Sequence, residues 1–305
     1  MARTRYASDR GLTSRMLVTM FLLGLVYVVF VTAFFAIAPS WGVFALIGAT
    51  VFLLAQYFFS DRMTLFAMHG KEVTPQEAPE LHGVIDRICA MSDAPKPRVA
   101  IADTDVPNAF ATGRNQKKAV VCVTTGLLRR LDPVELEGVL AHEMAHIAHK
   151  DVVVMTIASF LGVCAGLITR FGLEWGLWGG FSRRDGDQNT GLVLLAVVAV
   201  SAVAYTISFV LTRALSRYRE LSADRAAALL TGRPSALAAA LTKVSGEIAR
   251  IPSKDLRAAE PFNAFFFAPA FTKGFSVASL FATHPPLDRR LAQLSKISES
   301  LSRGV

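Results

Sequence analysis

Long apolar stretches without charge restrict the fold of this chain more than any other feature of its sequence. The run 16–38 contains no charged residue, and the uncharged run 41–59 follows it after a break at Pro39 and Ser40. A helix of about 20 apolar residues is long enough to cross the hydrocarbon core of a bilayer. The two runs predict a transmembrane hairpin, because a cleaved signal peptide has a shorter apolar core and no second span behind it.

A second pair of apolar runs occupies the middle of the chain, at 152–169 and 191–212. Trp175 and Trp178 lie between these runs, and tryptophan is enriched where helices leave the membrane. We predict a second transmembrane hairpin here, and therefore four spans in total. The alternative is a helical hairpin buried in the core of a soluble domain.

Composition and charge also favour a membrane protein. Hydrophobic residues make up 52% of the 305 residues, the mean hydropathy is +0.42 and the formal net charge is +8. Arginines precede the first apolar run and no Lys or Arg follows it in the short break, which predicts a cytoplasmic N-terminus. The sequence shows no basic and aromatic module of a nucleic-acid-binding protein, so we expect no nucleic-acid partner.

The three cysteines are far apart in the sequence. Cys89, Cys122 and Cys164 are odd in number and form no CxxC pair. This spacing predicts neither a disulfide framework nor a cysteine-ligated zinc site. Each cysteine is expected to be a small, buried apolar residue.

The pattern H-E-x-x-H occurs at His142, Glu143 and His146. Residues four apart lie on one face of a helix, so both imidazoles could bind one Zn²⁺ while Glu143 accepts a proton from water. Asp132 and Pro133 are typical of a helix start and favour that conformation. Such a short pattern also arises by chance, so its meaning depends on a third ligand.

A candidate third ligand lies in the segment 213–230, which predicts a helix. Glu220 and Asp224 are four residues apart and share one face of that helix. Glu220 would complete a site of two histidines and one carboxylate, and Asp224 would hold His142 in the correct tautomer. The alternative is a solvated face on which both acids pair with neighbouring arginines.

Together with three further segments in the same order, these motifs resemble the HtpX-type membrane zinc metalloproteases, relatives of the CAAX prenyl endopeptidase. The resemblance covers nearly the whole chain. Gln116 is a departure, because relatives commonly carry proline there, but it affects no catalytic position. The matching segments are Asn108–Asn115, Val123–Leu127, His142–His146, Ser216–Glu220 with Ala223 and Asp224, and Thr283–Leu287.

The resemblance implies an ATP-independent endopeptidase of the bacterial inner membrane, with its active site facing the cytoplasm. It implies one zinc ion per chain, held by His142, His146 and Glu220, with Glu143 as the catalytic base. It also implies polypeptide substrates among damaged or misassembled membrane proteins, and hence a role in protein quality control under stress.

Two further segments are candidates for substrate contacts. Asn108, Ala109 and Phe110 lie between two predicted strands, and extended peptides are often held by pairing with a sheet edge. The alternative is that this segment is only a turn. His284 precedes the final helix and would donate a hydrogen bond to the oxyanion, or would instead pack or cap that helix.

The predicted fold is a mainly α-helical membrane protein of α+β type. Transmembrane hairpins are combined with a cytosolic, zincin-like catalytic domain that has a small sheet, with strands at 95–102 and 119–124. The alternative function is a non-enzymatic membrane scaffold or chaperone with a structural zinc site. The predicted hairpins occupy 1–60, which includes the basic N-terminal segment, and 152–212. The two parts of the catalytic domain occupy 61–151 and 213–305. Within the second part, the phenylalanine-rich segment 262–281 is expected to pack over the cytosolic domain or to rest at the membrane interface.

Overall fold

The computed structural model describes residues 10–37, 47–48, 50–52, 54–55, 58, 65–66, 68–113, 115–175, 188–250 and 284–303. These residues form a mainly helical protein with one small sheet, which confirms the predicted fold class. The helices are α1 (Arg10–Ile37), α2 (Pro79–Ser92), α3 (Thr125–Arg130), α4 (Pro133–Ala148), α5 (Asp151–Trp175), α6 (Gln188–Thr231), α7 (Pro234–Arg250) and α8 (Leu287–Ser302). The strands are β1 (Gly70–Glu72), β2 (Arg98–Ala102), β3 (Ala109–Thr112) and β4 (Val120–Thr124).

Three of these helices are long and apolar enough to cross a membrane. Among the described residues the candidate spans are Thr13–Ile37, Val153–Glu174 and Gly191–Thr231. They cover the first, third and fourth predicted spans. The second predicted span, 41–59, and the phenylalanine-rich segment 262–281 lie largely or wholly outside the described residues.

The chain divides into two compact units. The first consists of residues 1–13, 58–153 and 216–305, and the second of residues 14–57 and 154–215. Because no proline or glycine interrupts residues 192–231, the predicted helix 213–230 continues from the fourth span as the last part of α6.

Small side chains allow α1, α5 and α6 to pack closely in the second unit. A Cβ atom placed on Gly166 of α5 would lie 3.1 Å from the ring of Tyr205 on α6. Such close approach through small residues is typical of helices that associate in lipid. Two buried clusters join the three helices: Phe30, Ala165 and Ala204, and Leu23, Ala158 and Leu215.

The sheet lies in the first unit, with strand order β1-β2-β4-β3. β4 is parallel to β2 and antiparallel to β3, so β3 occupies one edge. All five residues of β4 are buried, because helices α2, α4 and α7 contribute to the core on one face and Leu65 and Met68 pack on the other. The sheet thereby holds β3 firmly at the edge beside α4.

Helix α4, which carries the H-E-x-x-H pattern, begins as its sequence predicts. The Asp132 carboxylate accepts hydrogen bonds from the backbone N–H groups of Val134 and Glu135 at 3.0 and 2.9 Å. In return Glu135 accepts one from the N–H of Asp132 at 3.1 Å, which completes a capping box. A cap of this kind stabilises a helix by about 1 kcal/mol.

Some element bounds differ from the sequence prediction. The helix expected from Pro75 begins at Pro79, because the N–H and hydroxyl of Thr74 both donate to the Glu77 carboxylate and form a turn first. The predicted strands begin later, at Arg98 and Val120. The short edge strand β1 and helix α7 were not predicted.

Candidate metal centre

Helices α4 and α6 bring together the three side chains proposed as metal ligands. The Nε2 atoms of His142 and His146 lie 3.1 Å apart. Oε2 of Glu220 lies 3.6 Å from Nε2 of His142, and Oε1 of Glu220 lies 3.4 Å from Nε2 of His146. Among the described residues, these three side chains form a group whose ligand atoms all lie within 4.8 Å of one another.

These separations fit a tetrahedral metal ion. Two zinc ligands at their usual bond lengths that subtend a tetrahedral angle lie about 3.3–3.6 Å apart. The observed distances, 3.1 Å between the two nitrogens and 3.6 and 3.4 Å from each nitrogen to the Glu220 oxygen that faces it, lie in or close to that range. The arrangement therefore has room for one ion bound to all three side chains.

Each candidate histidine has a carboxylate on its other ring nitrogen. Nδ1 of His142 lies 2.9 Å from Asp224, and Nδ1 of His146 lies 2.6 Å from Asp151. A carboxylate accepts, so each Nδ1 carries a hydrogen, and in the neutral form of each ring the Nε2 lone pair faces the other ring. Two facing lone pairs and a carboxylate repel one another unless a proton or a metal ion lies between them.

The charge around the group also favours a cation. If the imidazoles are neutral, four carboxylates and two guanidiniums leave an excess of two negative charges, which one divalent ion balances. Burial lowers the pKa of His146, but hydrogen bonds to Asp151 and Glu220 outweigh it and raise the pKa to about 10, so the surroundings of this ring favour a positive charge, either a proton or a metal ion. The charged groups are Glu143, Asp151, Glu220 and Asp224 with Arg219 and Arg290, all of them buried.

Glu143 lies beside the three converging side chains but is not one of them. Its carboxylate is 4% exposed and accepts a hydrogen bond from the backbone N–H of Ala111 in strand β3. Burial, the main cause, raises the pKa of Glu143 above the usual value of a glutamate, although His142 and His146 oppose the shift. A carboxylate with a raised pKa is suited to accept a proton and release it again.

His284 was predicted to contact the substrate, and in the structure it contacts the candidate ligand Glu220. Its Nδ1 lies 2.9 Å from Oε2 of Glu220, so it supports the candidate third ligand. Its Nε2 is buried and makes no hydrogen bond with any described residue. If the hydrogen of the neutral ring is on Nδ1, facing the Glu220 carboxylate, Nε2 carries no hydrogen to donate.

The candidate substrate residues lie at the edge of the sheet, where Ala109 and Phe110 belong to strand β3 and Asn108 directly precedes it. Thr124 donates to the carbonyl of Asn108 at 2.9 Å, so alternate residues of β3 bond to β4. The backbone groups of Ala109 and Ala111 therefore point to the open edge, toward Glu143. The Phe110 side chain packs on the opposite face of the sheet and is directed away from the site.

Three buried residues of the site were missed by sequence reasoning. Asp151 contacts His146, and Nε of Arg219 lies 2.8 Å from Asp151 and not on Glu220, as the solvated-face alternative assumed. Arg290 of α8 is fully buried and binds both oxygens of Asp224, at 2.7 and 2.6 Å. No local spacing in the sequence indicates these partners, because Arg290 and Asp224 are 66 positions apart.

The cysteines contribute nothing to this site. Cys122 is buried in the sheet, and Cys89 and Cys164 are partly buried free thiols. Burial raises the pKa of Cys122 to about 12, so that its thiol stays neutral.

Comparison with known proteins places this arrangement in a family. The family model of Peptidase family M48 matches residues 75–298, which include every candidate site residue. Protease HtpX homolog 1 of Streptomyces coelicolor is 64% identical over 98% of this chain and 97% of its own length. Protease HtpX homologs of Moorella thermoacetica and Methanosarcina mazei are 50% and 49% identical, each over 98% of this chain and 98% and 100% of their own length.

A solved structure shows the same fold. The crystal structure of Ste24p from S. mikatae aligns with a TM-score of 0.53 and 18% sequence identity over 94% of this chain and 67% of that protein. The predicted resemblance to HtpX-type proteases is thereby confirmed. With its long apolar helices, its histidine–glutamate group and these relatives, the chain belongs to peptidase family M48 and is a membrane-associated metallopeptidase.

Proposed function

We propose that this chain is a zinc-dependent endopeptidase that cleaves damaged or misfolded membrane proteins on the cytoplasmic side of a bacterial inner membrane. The observation that carries the proposal is the convergence of His142, His146 and Glu220 beside the buried carboxylate of Glu143. The two imidazoles and one carboxylate would hold one Zn²⁺, the donor set of many hydrolytic zinc enzymes. Bound there, the ion would polarise the scissile carbonyl and make water a stronger acid.

Glu143 is the proposed catalytic base. Its carboxylate accepts a proton from the attacking water and later passes that proton to the leaving amine. The N–H of Ala111 fixes one face of the carboxylate, and burial keeps bulk water from competing for it. The raised pKa of Glu143 allows both halves of this proton transfer.

Strand β3 is the proposed binding edge for the substrate. An extended peptide that pairs with the outward-facing groups of Ala109 and the carbonyl of Ala111 would run past Glu143. Asn108 acts indirectly, because its backbone pairs with Thr124 and fixes the strand. His284 supports Glu220 through Nδ1, and its Nε2, when protonated, is the proposed donor to the oxyanion.

A cleavage assay with metal analysis tests the proposed function. The purified chain is expected to contain one zinc ion and to cleave an unfolded membrane-protein substrate. A chelator should abolish cleavage, and added zinc should restore it. Zinc without any cleavage over a panel of unfolded substrates would contradict the proposal and favour the alternative, a scaffold or chaperone with a structural metal.

The orientation of the protein is tested separately. Four spans place both termini and helix α4 on one side of the membrane, and basic residues before the first span favour the cytoplasm. A reporter fused after Val305 is expected to be cytoplasmic, and one inserted at Gly186 to be periplasmic. A cytoplasmic reporter at Gly186 would show that the second hairpin does not cross.

A further inference from the structure

Asp151 lies where the helix of the H-E-x-x-H pattern gives way to the next helix, and it faces two functional groups at once. One carboxylate oxygen is 2.6 Å from Nδ1 of His146, and the other is 2.8 Å from Nε of Arg219. Asp151 is 1% exposed and Arg219 is 7% exposed. We propose that Asp151 and Arg219 form a positioning pair that fixes the ring of His146 and sets the orientation of Glu220. This inference rests on the proposed metal site and adds two residues to it.

A backbone corner brings Asp151 to His146. In a continuous helix, a residue five positions on lies about 140° around the axis and cannot contact the first. Here α4 ends at Ala148, and Lys150 has a φ of 58°, in the left-handed region. The chain therefore turns sharply between the helices and brings the Asp151 carboxylate back onto His146.

The positive φ of Lys150 makes this turn between the helices energetically unfavourable, so other contacts must stabilise it. A residue with a side chain is strained at positive φ, and such strain persists only where surrounding contacts fix it. The contact of Asp151 with His146 is a partly buried, charge-assisted hydrogen bond, stronger than a neutral one, and its contact with Arg219 is a buried ion pair. The pair thus holds the corner, and the corner holds the second histidine.

Arg219 transmits the same constraint to the third ligand. It directly precedes Glu220 in α6, so fixing its side chain on Asp151 fixes the rotation of α6 about its axis at that level. The Glu220 carboxylate is then directed toward the Nε2 atoms of His142 and His146. One ion pair consequently sets two of the three candidate ligands relative to each other.

His142 is supported in a similar way to His146, so the two histidines of the site can be compared. Asp224 lies 2.9 Å from Nδ1 of His142 and is bound through both oxygens by Arg290. The same device, a carboxylate between an imidazole and a guanidinium, therefore occurs on both histidines. The Asp151 pair differs because it also joins the end of α4 to α6.

Zinc affinity of the full-length chain in detergent tests the pair. The variants are Asp151→Asn, Arg219→Gln and the double variant, measured by competition with a chromophoric chelator. Loss of a hydrogen-bonded partner of a metal ligand weakens binding by roughly 10–100-fold, and we expect that loss in Asp151→Asn. The double variant should be no weaker than Asp151→Asn, because the two residues act as a unit.

A matched control separates positioning from general stability. Glu135 is a buried carboxylate about two turns before His142 on the same helix, and it binds Lys243 at 2.6 Å and neither histidine. Glu135→Gln removes a charge of the same kind and should leave zinc affinity unchanged. A second readout is the visible spectrum of the cobalt-substituted protein, which Asp151→Asn should shift and Glu135→Gln should not.

Several outcomes would overturn the inference. One is parent-like zinc affinity and cobalt spectrum in Asp151→Asn, and another is an equal loss in Glu135→Gln. If Asp151→Asn does not fold, Arg219→Lys and Arg219→Gln replace it, and unchanged affinity in both refutes the pair. Failure of the proposed function would look different. A parent chain that binds zinc but cleaves no substrate would refute the proposed peptidase activity, and the zinc-affinity test of the pair would still apply. A parent chain that binds no zinc would refute both the proposed function and the positioning pair.

Discussion

Replacing Glu143 with glutamine is expected to reduce peptide cleavage by about 10²–10⁴-fold or more while the protein keeps its zinc. Glutamine has the same size, and its carbonyl oxygen can still accept the N–H of Ala111. An amide cannot take a proton from water at neutral pH, so the chemical step loses its base. Zinc is retained because Glu143 is not among the three side chains whose ligand atoms converge.

Glu137→Gln is the matched control for this prediction. Glu137 is another buried glutamate of α4, and it faces Arg87 and Arg233 at 3.6 Å each instead of the candidate ligands. The same substitution there should leave cleavage by the folded protein close to that of the parent. Cleavage and zinc content are measured on the same preparations. Substantial cleavage by Glu143→Gln would show that another group accepts the proton.

Periodic and local features of the chain could be predicted from sequence because their causes are local. The capping box at Asp132 and Glu135 needs only residues three apart, and the histidine pair needs only residues four apart. The apolar runs that became α1, α5 and α6 likewise depend on composition over one segment. These features fixed the fold class and the candidate ligands.

The buried ion pairs could not be predicted because a charged residue in sequence does not show where its partner lies. Arg219 beside Glu220 reads as part of a solvated face, yet its partner is Asp151, and both are buried. Arg290 lies in a helix whose other charged residues are exposed or half-exposed, so its full burial against Asp224 depends on how α8 packs. Tertiary packing, and not local propensity, determines such contacts.

Helix α7 was also not predicted, but for a different reason. Leu237, Leu241 and Val244 recur at helical spacing and are fully buried, so a signal was present in the sequence. They pack in the core with α4, whose Gly138 allows the approach, since a Cβ there would lie 3.3 Å from the Leu237 backbone. The helix is therefore predictable from its apolar spacing, although it carries no residue of the site.

Glu220→Ala is expected to purify with little or no zinc and without activity. The two histidines alone leave a bound ion with two protein ligands, whereas a hydrolytic zinc site uses three and keeps one position open for water. Alanine also leaves His284 without the carboxylate that its Nδ1 contacts at 2.9 Å. Both effects weaken the site, but the loss of a ligand dominates the metal affinity.

The comparison variant for Glu220→Ala is Asp224→Asn, on the same helix one turn away. Asparagine is preferred to alanine there, because alanine would remove both oxygens that bind the buried Arg290, and breaking a buried ion pair destabilises proteins by about 3–5 kcal/mol. A lost partner of a ligand lowers metal affinity by roughly 10–100-fold, so Asp224→Asn should keep part of its zinc. Elemental analysis should therefore rank zinc content in the order parent and Glu143→Gln, then Asp224→Asn, then Glu220→Ala.

The ranking distinguishes the proposed site from any arrangement in which Glu220 is only a structural acid. If Glu220 merely paired with His284 and Arg290, its removal would lower the melting temperature and leave zinc content intact. If it binds the metal, zinc content falls even in a preparation that remains monodisperse and folded. Zinc in Glu220→Ala at the level of the parent would contradict the proposed third ligand, because the imidazoles of His142 and His146 would then hold the ion with some other group.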